Sequence, residues 1–159
     1  MKISRFDDDR VGIVRGDKVY DVTDQFGDTL AVKEIPLENR KAIPLDQARL
    51  LSPIRAPGKI LAAPVNYKAH IAEMQKNNVS PGFNIWVIEK GGLFLKATSS
   101  LVGPSQGIAQ RFLDRRTDHE VELVIVVGRK ANNVKRQEAL QYVAGYCLGR
   151  FWIELLRSD

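Results

Sequence analysis

The stretch Glu120-Val121-Glu122-Leu123-Val124-Ile125-Val126-Val127-Gly128 carries the strongest strand signal in the chain. β-Branched side chains dominate it and a glycine closes it, a composition that fits a pleated, buried surface. It predicts a core strand. Its two acids stand two apart, so on an extended strand they share a face with Cα atoms roughly 6.5 to 7 Å apart. Such a pair repels itself unless a cation or a basic side chain lies between, and hard ions such as Mg²⁺, Mn²⁺ or Ca²⁺ favour carboxylate oxygen. The plain alternative is an exposed face with two solvated glutamates, the commoner outcome for this spacing. The apolar sequel Leu123 to Val127 weighs against it, since so apolar a strand does not readily leave its acids in open water. His119 alternates with Glu120 and therefore reads as a structural residue of the opposite face.

Upstream, Gly91-Gly92-Leu93-Phe94-Leu95-Lys96-Ala97-Thr98 reads as a second strand that opens from a glycine pair, with Lys96 its one charge. A lysine there can bind a substrate carboxylate as a compact cation, although a strand-end charge reaching solvent is the commoner case. The glycine pair lacks the lysine and hydroxyl residue of a phosphate loop, so nothing supports a nucleotide site. Before it, Lys59 to Ala63 reads as a buried strand, Tyr67 to Lys76 as a helix, and Asn77 to Gly82 as its closing turn. His70 and Glu73 lie three apart on that helix, about 5 to 6 Å between Cβ atoms. A carboxylate that orients an imidazole makes it a better base; an ordinary surface helix with a chance contact is the competing reading.

Further out, Met1 to Thr23 shows short alternating apolar runs broken by Arg15-Gly16-Asp17, the pattern of a small β module with a tight turn. Asp24 to Arg55 turns helical and irregular, and Pro53 and Pro57 mark a boundary: residues 1–56 as N-terminal module and connector, residues 57–159 as the main domain. Downstream, Arg136 to Ala144 has helical spacing stopped by Gly145, and Cys147 beyond it reads as buried and inert.

Composition removes several classes of function. The 159 residues are 44% hydrophobic and 27% charged, as in globular proteins. No apolar run approaches the roughly 20 residues of a membrane helix, and acids occupy the place of a signal peptide's apolar stretch, so a cytoplasmic protein without a membrane partner is expected. One cysteine and two histidines cannot build a structural zinc site, which leaves oxygen ligands for any metal. The net charge of +5 is spread among acids without a basic run. A nucleic-acid partner is therefore not expected, while a mild positive field still gathers small anions.

Several stretches in order resemble the fumarylacetoacetate hydrolase family: Asn66-Tyr67-Lys68-Ala69-His70-Ile71-Ala72-Glu73-Met74, Leu93 to Lys96, Leu101-Val102-Gly103-Pro104, His119 to Leu123, and Glu138-Ala139-Leu140 through Tyr142 to Tyr146. The likeness covers Lys59 to Leu148, and the opening β module is similar to the small N-terminal domain of many members. The resemblance implies an α+β, mostly β fold, a mixed β-roll incomplete at its C-terminal end, and a metal-dependent enzyme acting on small anionic 2-oxo acids, through C–C hydrolysis of acylpyruvates, decarboxylation or isomerisation. It implies Glu120 and Glu122 as ligands of Mg²⁺ (or Mn²⁺ or Ca²⁺), His70 as a base oriented by Glu73, Lys96 as a substrate-holding cation, and a homodimer. The family's third acidic ligand counts onto Phe151, and neither Glu154 nor Asp159 has a spacing that replaces it. Arg150 to Asp159 looks foreign to the pattern, which predicts a truncated or frame-shifted coding sequence and, as the alternative function, an inactive fragment. An uninterrupted parental frame ending at Asp159, with a folded product, would refute that expectation.

Overall fold

The computed structural model describes residues 1–26, 34–64, 66–76 and 88–154. The chain divides into two compact units, Met1–Leu51 together with Pro104–Asp159, and Ser52–Gly103. Strands predominate in the first, in accord with the mostly β expectation, while the second combines two short strands with two helices.

In the first unit, β1 (Lys2–Phe6), β2 (Arg10–Arg15), β3 (Lys18–Asp21), β4 (Ala42–Pro44) and β5 (Leu50–Leu51) form an antiparallel sheet in the order β4-β3-β2-β1-β5. Arg15 opposes Lys18, so Gly16 and Asp17 make a two-residue hairpin turn, and Gly16 has the positive φ of 61° that such a turn asks of its glycine. The alternating apolar residues bury against both faces of the sheet, since Val19 pairs with Val14 on one side of the pleat and Ile13 with Tyr20 on the other. Phe6, Val19 and Ala48 form one buried cluster, and Ile13, Val22 and Leu37 form another.

Among the described residues of Asp24 to Arg55, the helical reading is not what forms. Ala42–Pro44 adds to β3 and Leu50–Leu51 adds to β1, with only one 3₁₀ turn, Leu45–Gln47, between them. Prolines 36 and 44 break any long helix, and Pro44 is tolerated on an edge strand, where its missing N–H costs no ladder bond. Ser105 then anchors the chain's return: its Oγ accepts from the Leu50 N–H at 2.9 Å, and its own N–H donates to the Leu50 carbonyl at 3.2 Å.

The same unit holds a long antiparallel ribbon, β8 (Thr117–Val127) with β9 (Val143–Glu154). The helix expected over Arg136 to Ala144 is instead a 3₁₀ segment, Arg136–Tyr142, and Gly145 lies within β9. A helix so short has little stability of its own, and pairing with β8 claims the chain from Val143 onward. The core-strand expectation for Glu120 to Gly128 is also corrected. Burial alternates along β8, and Val121, Leu123, Ile125 and Val127 are 56–62% exposed, because only one strand pairs with β8 among the described residues and one ribbon face stays open.

The second unit contains β6 (Ile60–Ala62) paired antiparallel with β7 (Phe94–Lys96), and the helices α1 (Lys68–Lys76) and α2 (Ile88–Gly91). The β6 strand expected to be buried leaves Leu61 exposed. Gly91 ends α2, and Gly92 follows with φ +69°. The turn expected over Asn77 to Gly82 lies outside the described residues.

Candidate metal and catalytic site

Strand pairing decides what surrounds the two acids. In β8 the residues Asp118, Glu120, Glu122, Val124 and Val126 share the half-buried face, while His119, Val121, Leu123, Ile125 and Val127 share the exposed one. The register places Glu120 opposite Phe151 and Glu122 opposite Gly149. Directly opposed residues have Cβ positions about 4.5–5.5 Å apart on the same face, so the nearest cross-strand neighbours of the carboxylates are an aromatic ring and a glycine. A Cβ built on Gly149 would lie 3.7 Å from Phe151 Cε2 and 2.8 Å from Val124 Cγ2. The ring of Phe151 therefore leans along its own strand over Gly149. His119 is on the other face as expected, in ring contact with Trp152 at 5.9 Å between centroids.

Among the described residues neither Glu120 nor Glu122 takes part in an ion pair or a side-chain hydrogen bond. A third acid, which sequence reasoning left unremarked, lies on the same face: Asp118, two residues before Glu120. Its carboxylate is held by Arg116, Nε to Oδ1 at 3.0 Å and Nη2 to Oδ2 at 3.0 Å. The Arg116 side chain is 75% exposed, which makes the pair a weak surface contact. Alternation along the strand was the signal that could have found it.

The face suits a hard divalent cation in sign and in donor type, but not in number. Glu120 and Glu122 supply two carboxylates, Gly149 and Phe151 supply no side-chain oxygen, and no group of three or more His, Cys, Asp or Glu converges among the described residues. Asp118 does not fill the gap, since four residues of strand set its Cα roughly 13 Å from that of Glu122, too far for one ion with metal–oxygen bonds of about 2 to 2.6 Å. The described residues thus form an incomplete cage for such an ion. Glu154, the last residue of β9, and Asp159 have side chains outside the described residues. Cys147 lies on β9 rather than after a helix, opposite Val124, and burial pushes its thiol pKa up, away from the reactive thiolate.

In the second unit, His70 and Glu73 are placed three apart on α1, as expected. Both side chains are exposed, and among the described residues neither makes a hydrogen bond or ion pair. Lys96 ends β7 opposite Ile60, half-buried, with its Nζ 5.6 Å from the centroid of the Phe94 ring. An ammonium over an aromatic face is partly stabilised by the ring's electrons.

A mostly β chain with its longest strands presenting a Glu-x-Glu pair to one face defines a class that known proteins share. Residues 59–152 match the family profile "Fumarylacetoacetate (FAA) hydrolase C-terminal", and the chain belongs to the fumarylacetoacetate hydrolase family. The match runs four residues beyond Leu148, to Trp152, so the likeness does not stop where the sequence pattern alone ends it. The chain is 43% identical over 172 residues to maleylpyruvate hydrolase of Aquipseudomonas alcaligenes, covering 94% of this chain and 60% of that protein. It is 32% identical over 104 residues to the mitochondrial oxaloacetate tautomerase Fahd2a of Rattus norvegicus, covering 65% of this chain and 30% of that one. The crystal structure of maleylpyruvate hydrolase from Sphingobium sp. SYK-6 in complex with manganese(II) and pyruvate superposes with a TM-score of 0.73 at 30% identity, over 99% of this chain and 60% of that chain. The chain thus spans 60% of the length of both maleylpyruvate hydrolases, and its fold is that of the corresponding part of the family. No helix among the described residues is long and apolar enough to cross a membrane.

Proposed function

We propose that the chain serves metal-dependent hydrolytic C–C cleavage of small acylpyruvate-type 2-oxo acids, in the catabolism of aromatic or organic acids. The observation that carries this reading is the 43% identity to a maleylpyruvate hydrolase along 94% of the chain; a manganese(II) ion and pyruvate in the structural relative support the cofactor and substrate class. The chemistry is assigned to residues 57–159, with residues 1–56 as an accessory β module. Glu120 and Glu122 are the protein's carboxylates for Mg²⁺ or Mn²⁺, the ion that would stabilise an enolate when bound. His70 acts as the base that activates water, Glu73 orients it, and Lys96 holds a substrate carboxylate. The protein works in the cytoplasm as a homodimer, without nucleic-acid or membrane partners.

One observation favours a second reading, a chain that keeps the family fold without its activity: Phe151 stands opposite Glu120 where an oxygen donor is expected. Hydrolysis of an acylpyruvate at millimolar Mn²⁺, so that weak binding is overcome, separates the two. Turnover abolished by His70→Ala and reduced by Glu73→Gln supports the hydrolase; no turnover at any Mn²⁺ concentration supports the inactive chain.

A further inference from the structure

We infer that Phe151 is the residue that decides whether this hairpin holds a divalent ion: the chain as sequenced binds one weakly, and a single carboxylate at position 151 completes the site. The inference rests on the assignment of Glu120 and Glu122 as metal ligands. Three features of the ribbon carry it. Position 151 is directly opposite Glu120 on the half-buried face, so a short acid there points into the space the two glutamates share. The aromatic ring now at that position extends toward Gly149, itself opposite Glu122, and puts carbon where a third oxygen is needed. The other acid of this face, Asp118, is engaged by Arg116 and lies at the far end of the strand segment.

The remaining cross-strand position cannot take over. A side chain at 149 meets Val124 Cγ2 at 2.8 Å before it reaches any ligand, so an acid there would crowd the ribbon rather than complete a cage. Mg²⁺ and Mn²⁺ favour octahedral oxygen coordination, and a site with two protein carboxylates leaves most positions to water, which Mg²⁺ in particular gives up reluctantly. Adding one anionic donor raises both the charge and the number of protein ligands, whereas removing the ring without adding charge does neither.

The test is Mn²⁺ binding to the full chain, followed by calorimetry and by the loss of the free-ion paramagnetic signal, for wild type, Phe151→Asp, Phe151→Asn and Phe151→Asp combined with Glu120→Ala. Wild type is expected to half-saturate only in the millimolar range. Phe151→Asp should tighten binding by about tenfold or more, Phe151→Asn should not, and Glu120→Ala should abolish the gain. Micromolar, Glu120-dependent binding by wild type overturns the inference, as does a Phe151→Asp variant no tighter than Phe151→Asn. Phe151→His, closer to phenylalanine in size and able to ligate through nitrogen, carries the same expectation should the aspartate variant fail to fold. An acylpyruvate assay on the same proteins separates this claim from the functional one. Tighter binding without turnover at saturating Mn²⁺ leaves the inference standing and removes the hydrolase reading, and wild-type turnover without tightening does the reverse.

Discussion

Gly12 lies in the middle of β2, paired with Ser4 on one side and Asp21 on the other. A glycine in an ordinary strand interior costs about 0.5–1 kcal/mol relative to alanine, so Gly12→Ala would normally stabilise. Here the added Cβ would collide with Val19 Cγ1 and lie 3.0 Å from Phe6 Cε1, against an optimum of about 3.5–4.0 Å between carbons. Neither neighbour has room to retreat, since Val19 is 0% and Phe6 1% exposed and both pack with Ala48 in one cluster. Overpacking of this kind costs about 1–3 kcal/mol, so the expected net effect is a loss of about 0.5–2 kcal/mol once the strand-propensity gain is subtracted. Urea denaturation followed by far-UV circular dichroism measures it. The clash predicts a specific coupling: Val19→Ala removes the offending methyl, so the double variant should be more stable than the sum of the single losses by about 0.5–2 kcal/mol. A Gly12→Ala chain as stable as wild type, or a strictly additive double variant, would show that the sheet yields and that the close approach of Gly12 to the core has no energetic role.

Other expectations follow from the same geometry. Partial burial pushes Asp21 up, but the Thr23 hydroxyl and N–H and the Arg10 guanidinium outweigh it and hold its carboxyl below the ordinary value of 3.8. With the folded pKa below the unfolded one, the stabilisation is complete well above that value and is lost as pH falls through the folded pKa. Asp21→Asn should therefore cost about 1 kcal/mol at pH 7 and progressively less in acid, as denaturation across pH 7 to 3 would reveal. Leu148→Lys, at a side chain 77% exposed on the open ribbon face, should change the unfolding free energy by less than about 0.5 kcal/mol while reducing concentration-dependent association in light scattering; a large stability loss would mean that this face is covered. Cys147, its thiol raised by burial, should react with a disulfide reagent at pH 7 more slowly in the native protein than in urea, and equal rates would contradict the half-buried placement.

The local placement of the candidate site residues was legible in the chain itself. Period-two alternation alone puts Glu120 and Glu122 on one face and His119 on the other, because the pleat fixes side-chain direction whatever the strand packs against. Helical spacing likewise places His70 and Glu73 together on α1, and the two-residue turn at Gly16-Asp17 follows from glycine's access to positive φ. Motif order gave the family, and the residue count brought the missing acid onto Phe151.

Tertiary structure decided the rest. Apolar composition in Val121 to Val127 signalled a strand but not its burial, because exposure depends on which elements cover each face, and here alternate residues stay open. Within the stretch Asp24 to Arg55, which looked helical locally, Ala42–Pro44 and Leu50–Leu51 became edge strands once β3 and β1 offered backbone partners. Most tellingly, a residue count could place the third ligand at 151 without saying what it faces. Only the β8–β9 register, a long-range pairing invisible to local patterns, sets Phe151 against Glu120 and Gly149 against Glu122, and so puts an aromatic ring at the position proposed for an ion's third oxygen.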